Sequence, residues 1–222
     1  MPTLLIADDH PLFREALRGA VQRVLPDAQL REAEDVDALY ALVEGEPDAD
    51  LLLLDLNMPG ANGFSALVHL RALHPELPIV MVSAREEPAV MRRALDHGAM
   101  GFIPKSADAA TLGEAITRVL EGDRWAPPAA DAAPAPSTEE RDAARRVRDL
   151  TPQQFRVLRM LGEGLLNKQI AHELGVSEAT IKAHMTAILR KLGAGNRTQA
   201  VLIAGRLALD PVTVKPQAEE AM

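Results

Sequence analysis

LLLLDLNMPGANG, running from Leu51 to Gly63, decides how the rest of the chain is read. Four successive leucines suit a strand covered on both faces, the pattern of a parallel strand between two layers of helices. Asp55 follows at once, and Pro59-Gly60 turns the chain after it. In open α/β sheets ligands bind beyond the carboxyl ends of the strands, so this carboxylate is placed for chemistry. Taken alone, it would serve equally as a loop carboxylate.

Working outward, apolar runs alternate with amphipathic helical patterns. Strands are expected at Thr3 to Ala7, Gln29 to Ala33, Leu51 to Leu54, Ile79 to Val82 and Gly101 to Pro104. Helices are expected near Leu12 to Val24, Val36 to Val43, Gly63 to His74, Pro88 to His97 and Ala109 to Glu121. Strict alternation of this kind implies an α/β fold with a parallel sheet covered on both sides and right-handed crossovers. The ends of strands one, three, four and five then converge, bringing Asp8, Asp9, Asp55, Ser83 and Lys105 together. Three clustered carboxylates repel one another unless a hard divalent cation sits among them, and a site with neither His nor Cys ligands suits Mg2+. An aspartate beside such a cation can accept a phosphoryl group, with Lys105 and Ser83 placed to stabilise its oxygens. Considered singly, Asp8 or Asp9 would do as a helix cap, Ser83 as a loop hydroxyl and Lys105 as a solvated charge.

Composition bounds the other classes. The 222 residues suggest more than one domain, and 47% hydrophobic with 25% charged residues is an ordinary globular mixture. No apolar run is long enough to span a membrane, and Asp8 and Asp9 come too early for a signal-peptide core, so a cytoplasmic protein is expected. The absence of cysteine excludes disulfides and thiolate metal sites. The net charge of −8 is segregated: residues 1–125 carry 11 Lys/Arg against 21 Asp/Glu, whereas residues 151–210 carry 8 against 4. That asymmetry points to an acidic module and one suited to a polyanion, or else to chance variation of the surface.

Between them, APPAADAAPAPS, Ala126 to Ser137, reads as a semi-extended spacer. Ser137 with Glu140 forms a candidate capping box opening a charged helix to about Asp149. Domains are therefore expected at 1–122 and 150–210, joined by a partly helical linker at 123–149 and followed by a flexible tail at 211–222. In the second domain Thr151, Pro152 and Gln154 announce a helix carrying Phe155, Leu158 and Leu161 on one face. Asn167 to Leu174 is a short helix ended by Gly175, Ser177 caps the next, which runs to about Leu192, and a fourth ends near Ala208 before Asp210-Pro211. Two helices across so short a turn make a helix-turn-helix, or a plain helical hairpin with a solvated face. On the long helix Ile181, Met185, Ile188 and Leu192 face inward, leaving Lys182, Ala183, Thr186 and Arg190 outward.

With these motifs quoted, the resemblance is specific. Asp8-Asp9, DLNMPGANG, VSA at Val82 to Ala84 and GFIPK at Gly101 to Lys105 resemble the receiver domain of two-component response regulators. Leu150 to Ala208 resembles the LuxR-type helix-turn-helix, so the whole chain resembles a NarL/LuxR-family (FixJ-type) response regulator. The resemblance implies a flavodoxin-like (βα)5 receiver followed by an all-α four-helix domain. It also implies a phosphoacceptor Asp55 served by a sensor histidine kinase, with Mg2+ on Asp9, Asp55 and the Asn57 backbone carbonyl, assisted by Asp8. Ser83 and Phe102 take switch positions: the hydroxyl moves toward the phosphoryl group and the ring turns inward, unless Phe102 is only a core aromatic.

For the second domain the resemblance implies base contacts from Lys182, Ala183 and Thr186, and phosphate contacts from Lys168, Thr180, Lys191 and Arg197, with Ser177 and Arg190 on the same surface. The implied partners are the kinase, double-stranded promoter DNA, a second copy of the chain when phosphorylated, and RNA polymerase as a further candidate; no membrane is involved. Val201, Ala204 and Leu207 are a self-association face or simply close the core. Phosphorylation would act by dimerisation or by releasing the recognition helix. Competing readings are a constitutive DNA binder, an aspartyl-phosphate phosphatase or transferase, and an RNA-binding antiterminator. The enzyme reading lacks the acid needed two residues after the nucleophile, where Asn57 stands, although slow hydrolysis of its own acyl phosphate remains compatible.

Overall fold

The computed structural model describes residues 1–61 and 63–208. Strands β1 (Thr3–Ala7), β2 (Gln29–Ala33), β3 (Leu51–Asp55), β4 (Ile79–Ser83) and β5 (Gly101–Pro104) form one sheet in the order β2-β1-β3-β4-β5. Every neighbouring pair is parallel. Two strands run one residue further than expected, because Asp55 pairs with Val82 and Ser83 with Pro104. The polar residues thus close the strands themselves and inherit their rigidity.

The leucine run is buried on both sides. Leu51 and Leu53 join the cluster formed with α1 (Pro11–Val24) and α5 (Ala109–Leu120), through Leu17, Val21, Leu112 and Ile116. Leu52 and Leu54 face the other way, toward Leu39, Phe64 and Met91 beneath α2 (Val36–Gly45), α3 (Ser65–Leu73) and α4 (Pro88–Asp96). Period-two alternation inside an all-apolar run therefore feeds two cores, each leucine contributing roughly 1.5–3 kcal/mol of burial. Asp35 caps α2 and Asp108 caps α5, each accepting from a backbone amide at 2.8 Å. Neither Asp8 nor Asp9 caps α1, whose cap residue His10 makes no side-chain capping bond. Asp8 Oδ1 instead accepts from the His10 amide at 2.8 Å, which leaves its other oxygen facing the pocket.

The Ala/Pro tract departs from the expected extended spacer. Trp125 runs alongside β5, its amide donating to Met100 O (3.1 Å) and its carbonyl accepting from Phe102 N (3.0 Å). An edge strand leaves backbone groups unpaired, and this segment satisfies them. Pro128–Ala132 then forms a 3-10 turn against α4 with Ala130 buried. Ser137 caps α6 (Thr138–Arg148) as expected, accepting from Glu140 N at 3.1 Å. The Glu140 carboxylate, however, crosses to α4 instead of closing the box, meeting His97 Nε2 at 2.6 Å and Arg93 Nε at 2.7 Å. Burial alone would raise the Glu140 pKa, but these two donors hold it below the usual range.

Helices α7 (Pro152–Gly162), α8 (Asn167–Glu173), α9 (Glu178–Leu192) and α10 (Arg197–Gly205) build the second core from Phe155, Leu158, Ile170, Ile181, Ile188, Leu192 and Ala200. The expected capping box is present: Gln154 N donates to Thr151 Oγ1 (3.3 Å), and Thr151 N to Gln154 Oε1 (3.1 Å). Gly175 turns α8 into α9 at φ +64°, a left-handed value that only glycine adopts without strain. Asp210, Pro211 and the expected tail at 211–222 lie outside the described residues.

The two cores meet across α2 and α3. His69 is fully buried there, stacked on Phe155 with ring centroids 4.2 Å apart. Leu150 O can only accept, so the proton of neutral His69 sits on Nε2 (3.1 Å), and Nδ1 accepts from the Tyr40 hydroxyl (2.8 Å). Burial pushes His69 down to about 4. A neutral histidine whose pKa is about 6.5 when released stabilises the fold fully above that pH, and the contribution is lost as pH falls toward 4. The unfolding free energy measured by urea titration should therefore drop across this window by on the order of 3 kcal/mol more in the wild type than in His69→Gln. Parallel pH profiles would remove His69 from this role.

Candidate functional site

The carboxyl ends of β1, β3, β4 and β5 enclose an acidic pocket. Asp8 and Asp55 are buried, whereas the Asp9 side chain keeps 31% of its exposure at the mouth. Lys105 Nζ lies 2.6 Å from Asp8 Oδ2 and 3.3 Å from Asp55 Oδ2, with the Phe13 ring 4.7 Å away beneath it. Its backbone amide donates to Ser83 O at 2.7 Å, which ties the β5 end to the β4 end. Ser83 Oγ is buried and accepts from Arg85 N at 3.0 Å. Arg14 donates to Asp8 O at 2.6 Å and pairs with Glu32, fixing the strand end from α1.

The electrostatics of the pocket are unbalanced. Burial raises the Asp55 pKa; Lys105 opposes this and the Asp8 charge reinforces it. Asp55 Oδ1 is buried without a hydrogen-bond partner. Ligand atoms of Asp8, Asp9, His10 and Asp55 all lie within 4.8 Å of one another, so hard oxygen donors around an unpartnered carboxylate oxygen could hold a metal ion. Asn57 is exposed in the turn just after the strand.

Phe102 is fully buried among Met81, Leu54 and Phe64. Lacking a hydroxyl, it loses nothing by that burial. His10 was not singled out by sequence, yet its Nδ1 is 2.6 Å from Asp9 Oδ1 and 3.2 Å from Asp8 Oδ1. Its position immediately after the acidic pair was the available signal.

In the second domain Lys168, Ser177, Thr180, Lys182, Ala183, Thr186 and Arg190 are all exposed. Ser177 Oγ caps α9, accepting from Thr180 N at 3.1 Å, and lies 2.9 Å from Thr180 Oγ1. Lys182 pairs with Glu178 one turn earlier at 3.1 Å, and the Thr186 hydroxyl donates to Lys182 O at 3.1 Å. The outward face of α9 is solvent-exposed despite the docking of the two domains. Lys191 and Arg197, expected near phosphates, are engaged internally. Lys191 Nζ donates to Asp149 O (2.8 Å) and Gln154 Oε1 (2.7 Å), and Arg197 Nη2 to Leu165 O (2.5 Å). Asp149 caps the C-terminus of α6, whose dipole favours the Lys191 cation, and Leu165 O lies in the loop between α7 and α8; both side chains staple the domain.

Comparison with known proteins places both halves. Residues 4–117 match the response regulator receiver domain, and residues 148–215 match the bacterial regulatory proteins of the luxR family. The glycerol metabolism activator of Pseudomonas putida is 42% identical over 212 residues, covering 92% of this chain and 96% of that protein. The nitrate/nitrite response regulator NarL of Escherichia coli K12 is 33% identical over 204 residues, covering 90% and 93%. The structure of RcsB from Salmonella enterica serovar Typhimurium, bound to promoter P1flhDC with the phosphomimetic BeF3−, aligns at 25% identity. That match has a TM-score of 0.54 and covers 93% of this chain and 99% of that one. With a receiver profile over the first half, a luxR profile over the second and similarity to NarL along nearly its whole length, the chain belongs to the LuxR-family transcriptional response regulators.

Proposed function

We propose that the chain binds promoter DNA through α9 and is switched by phosphorylation of Asp55 by a sensor histidine kinase. The observation that carries this is Lys105 Nζ held between Asp8 and Asp55 beside an unpartnered Asp55 oxygen, in a chain whose α9 outer face is free. In the transfer an Asp55 carboxylate oxygen forms a bond to phosphorus as the phosphorus–nitrogen bond of the kinase phosphohistidine breaks. Lys105 and the Ser83 hydroxyl stabilise the phosphoryl oxygens. Asp9, Asp55 and the Asn57 carbonyl, with Asp8 assisting, would hold Mg2+, which would supply the remaining charge neutralisation. With Asn57 unable to act as an acid, the acyl phosphate is stored, lost only by slow self-hydrolysis, and no external substrate is turned over.

On DNA, Lys182, Ala183 and Thr186 read base edges, and Lys168, Ser177, Thr180 and Arg190 hold the backbone. The working unit is a cytoplasmic homodimer formed on phosphorylation, with RNA polymerase as its downstream partner. Residues 1–122 receive the phosphoryl group, 123–149 link and 150–210 bind DNA. Among the described residues no helix is long and apolar enough to cross a membrane.

Lys182→Ala should weaken binding to a cognate promoter roughly tenfold, the loss of one base-edge contact, while leaving phosphoryl uptake unchanged. Undiminished binding would remove α9 from base reading.

A further inference from the structure

The outward face of α9 carries a threonine whose polar group is already in use. The Thr186 hydroxyl donates its one proton to Lys182 O at 3.1 Å, a bond back along the helix to the carbonyl four residues earlier. Thr186 is exposed all the same. With the oxygen turned onto the backbone, χ1 is fixed, and the other branch of the side chain is a methyl group. Ile181, Ile188 and Leu192 are fully buried on the opposite side of α9, so the face that bears this methyl is held rigidly.

Ala183, on the same face three residues earlier and also exposed, has only a methyl group to offer. Residues at that spacing sit about 5–6 Å apart on a helix surface. Base pairs follow one another at about 3.4 Å, so the two methyl groups span one to two steps of a duplex. The Lys182 ammonium is drawn away from them, held at 3.1 Å by Glu178 one turn toward the start of α9. Thymine is the base that presents a methyl group in the major groove, and apolar contact with that group is the readout open to two side chains that have no free donor.

We propose that Thr186 is a specificity-determining residue that reads thymine through its methyl group, and that with Ala183 it makes α9 select two thymines one or two base pairs apart. This selection deepens the DNA-binding reading above and rests on it. A hydroxyl free to donate would reach N7 or O6 of guanine, N7 of adenine or O4 of thymine; the bond to Lys182 O removes that option. The oxygen is left only as an acceptor, turned toward the helix, while the methyl group meets the base.

The test selects binding sites for the full chain, treated with beryllofluoride and Mg2+, from a random duplex library. It then replaces each thymine of the enriched site by deoxyuridine, which pairs identically and lacks only the methyl group. At two positions no more than two base pairs apart the wild type should bind the deoxyuridine duplex about fourfold more weakly, the worth of burying one such carbon. Thr186→Val keeps the methyl group without the oxygen and should keep this discrimination at its position; Thr186→Ser keeps the hydroxyl without the methyl and should lose it. Discrimination retained by Thr186→Ser and lost by Thr186→Val would overturn the proposal in favour of a hydrogen bond to the hydroxyl oxygen. Equal affinity of the wild type for thymine and deoxyuridine at every position would overturn it outright. If no sequence is enriched, or Lys182→Ala binds the enriched site undiminished, the assignment of base reading to α9 fails first, and the methyl readout falls with it.

Discussion

Asp55→Asn should abolish labelling by a small phosphodonor, with a fall of at least about 100-fold, because the amide supplies no nucleophilic carboxylate oxygen. The pocket makes this substitution unusually clean. Burial raises the Asp55 pKa, which means that the pocket resists its charge in the absence of a cation. Replacing it by a neutral isostere removes that penalty, and Lys105 keeps its partner Asp8 at 2.6 Å. The variant should therefore be as stable as the wild type, and labelling lost for chemical reasons. Retained labelling at another residue would show that a different group accepts the phosphoryl.

DNA binding should depend steeply on salt, and the slope will say which cations touch phosphates. Lys168 and Arg190 are exposed on each copy, so a dimer offers roughly four phosphate contacts and a log–log slope near −4. Raising salt from about 50 to 200 mM would then cost roughly 10²-fold in affinity. If Lys191 and Arg197 left their carbonyl partners to join them, about eight contacts would steepen the slope to near −7. The internal bonds at 2.8 and 2.5 Å favour the shallower value. A flat response would contradict electrostatic anchoring altogether.

Much of the fold was legible because its signals are local. The leucine run, the capping box at Thr151 and Gln154 and the glycine at 175 each specify structure within a few residues, and the strand ends needed only the topology to converge. What sequence could not supply were partners chosen by tertiary approach. Glu140 looked like half of a capping box, yet it bonds His97, 43 residues away, because α6 lands on α4. His69 sat in an amphipathic helix without distinction until Phe155 and Leu150 closed over it. Lys191 and Arg197 carried the charge expected of DNA contacts, and only the position of the Asp149 and Leu165 carbonyls revealed their other use. In the pocket, the pairing of Lys105 with Asp8 and Asp55 follows from strand order, whereas the approach of His10 depends on how α1 begins.

The central claim, that Asp55 governs DNA binding, is tested most directly by promoter affinity with and without phosphodonor and Mg2+, in wild type and in Asp55→Asn. The account predicts at least tenfold tighter binding by treated wild type and no response from the variant. Equal affinities for treated and untreated wild type, or an equal gain in Asp55→Asn, would contradict it.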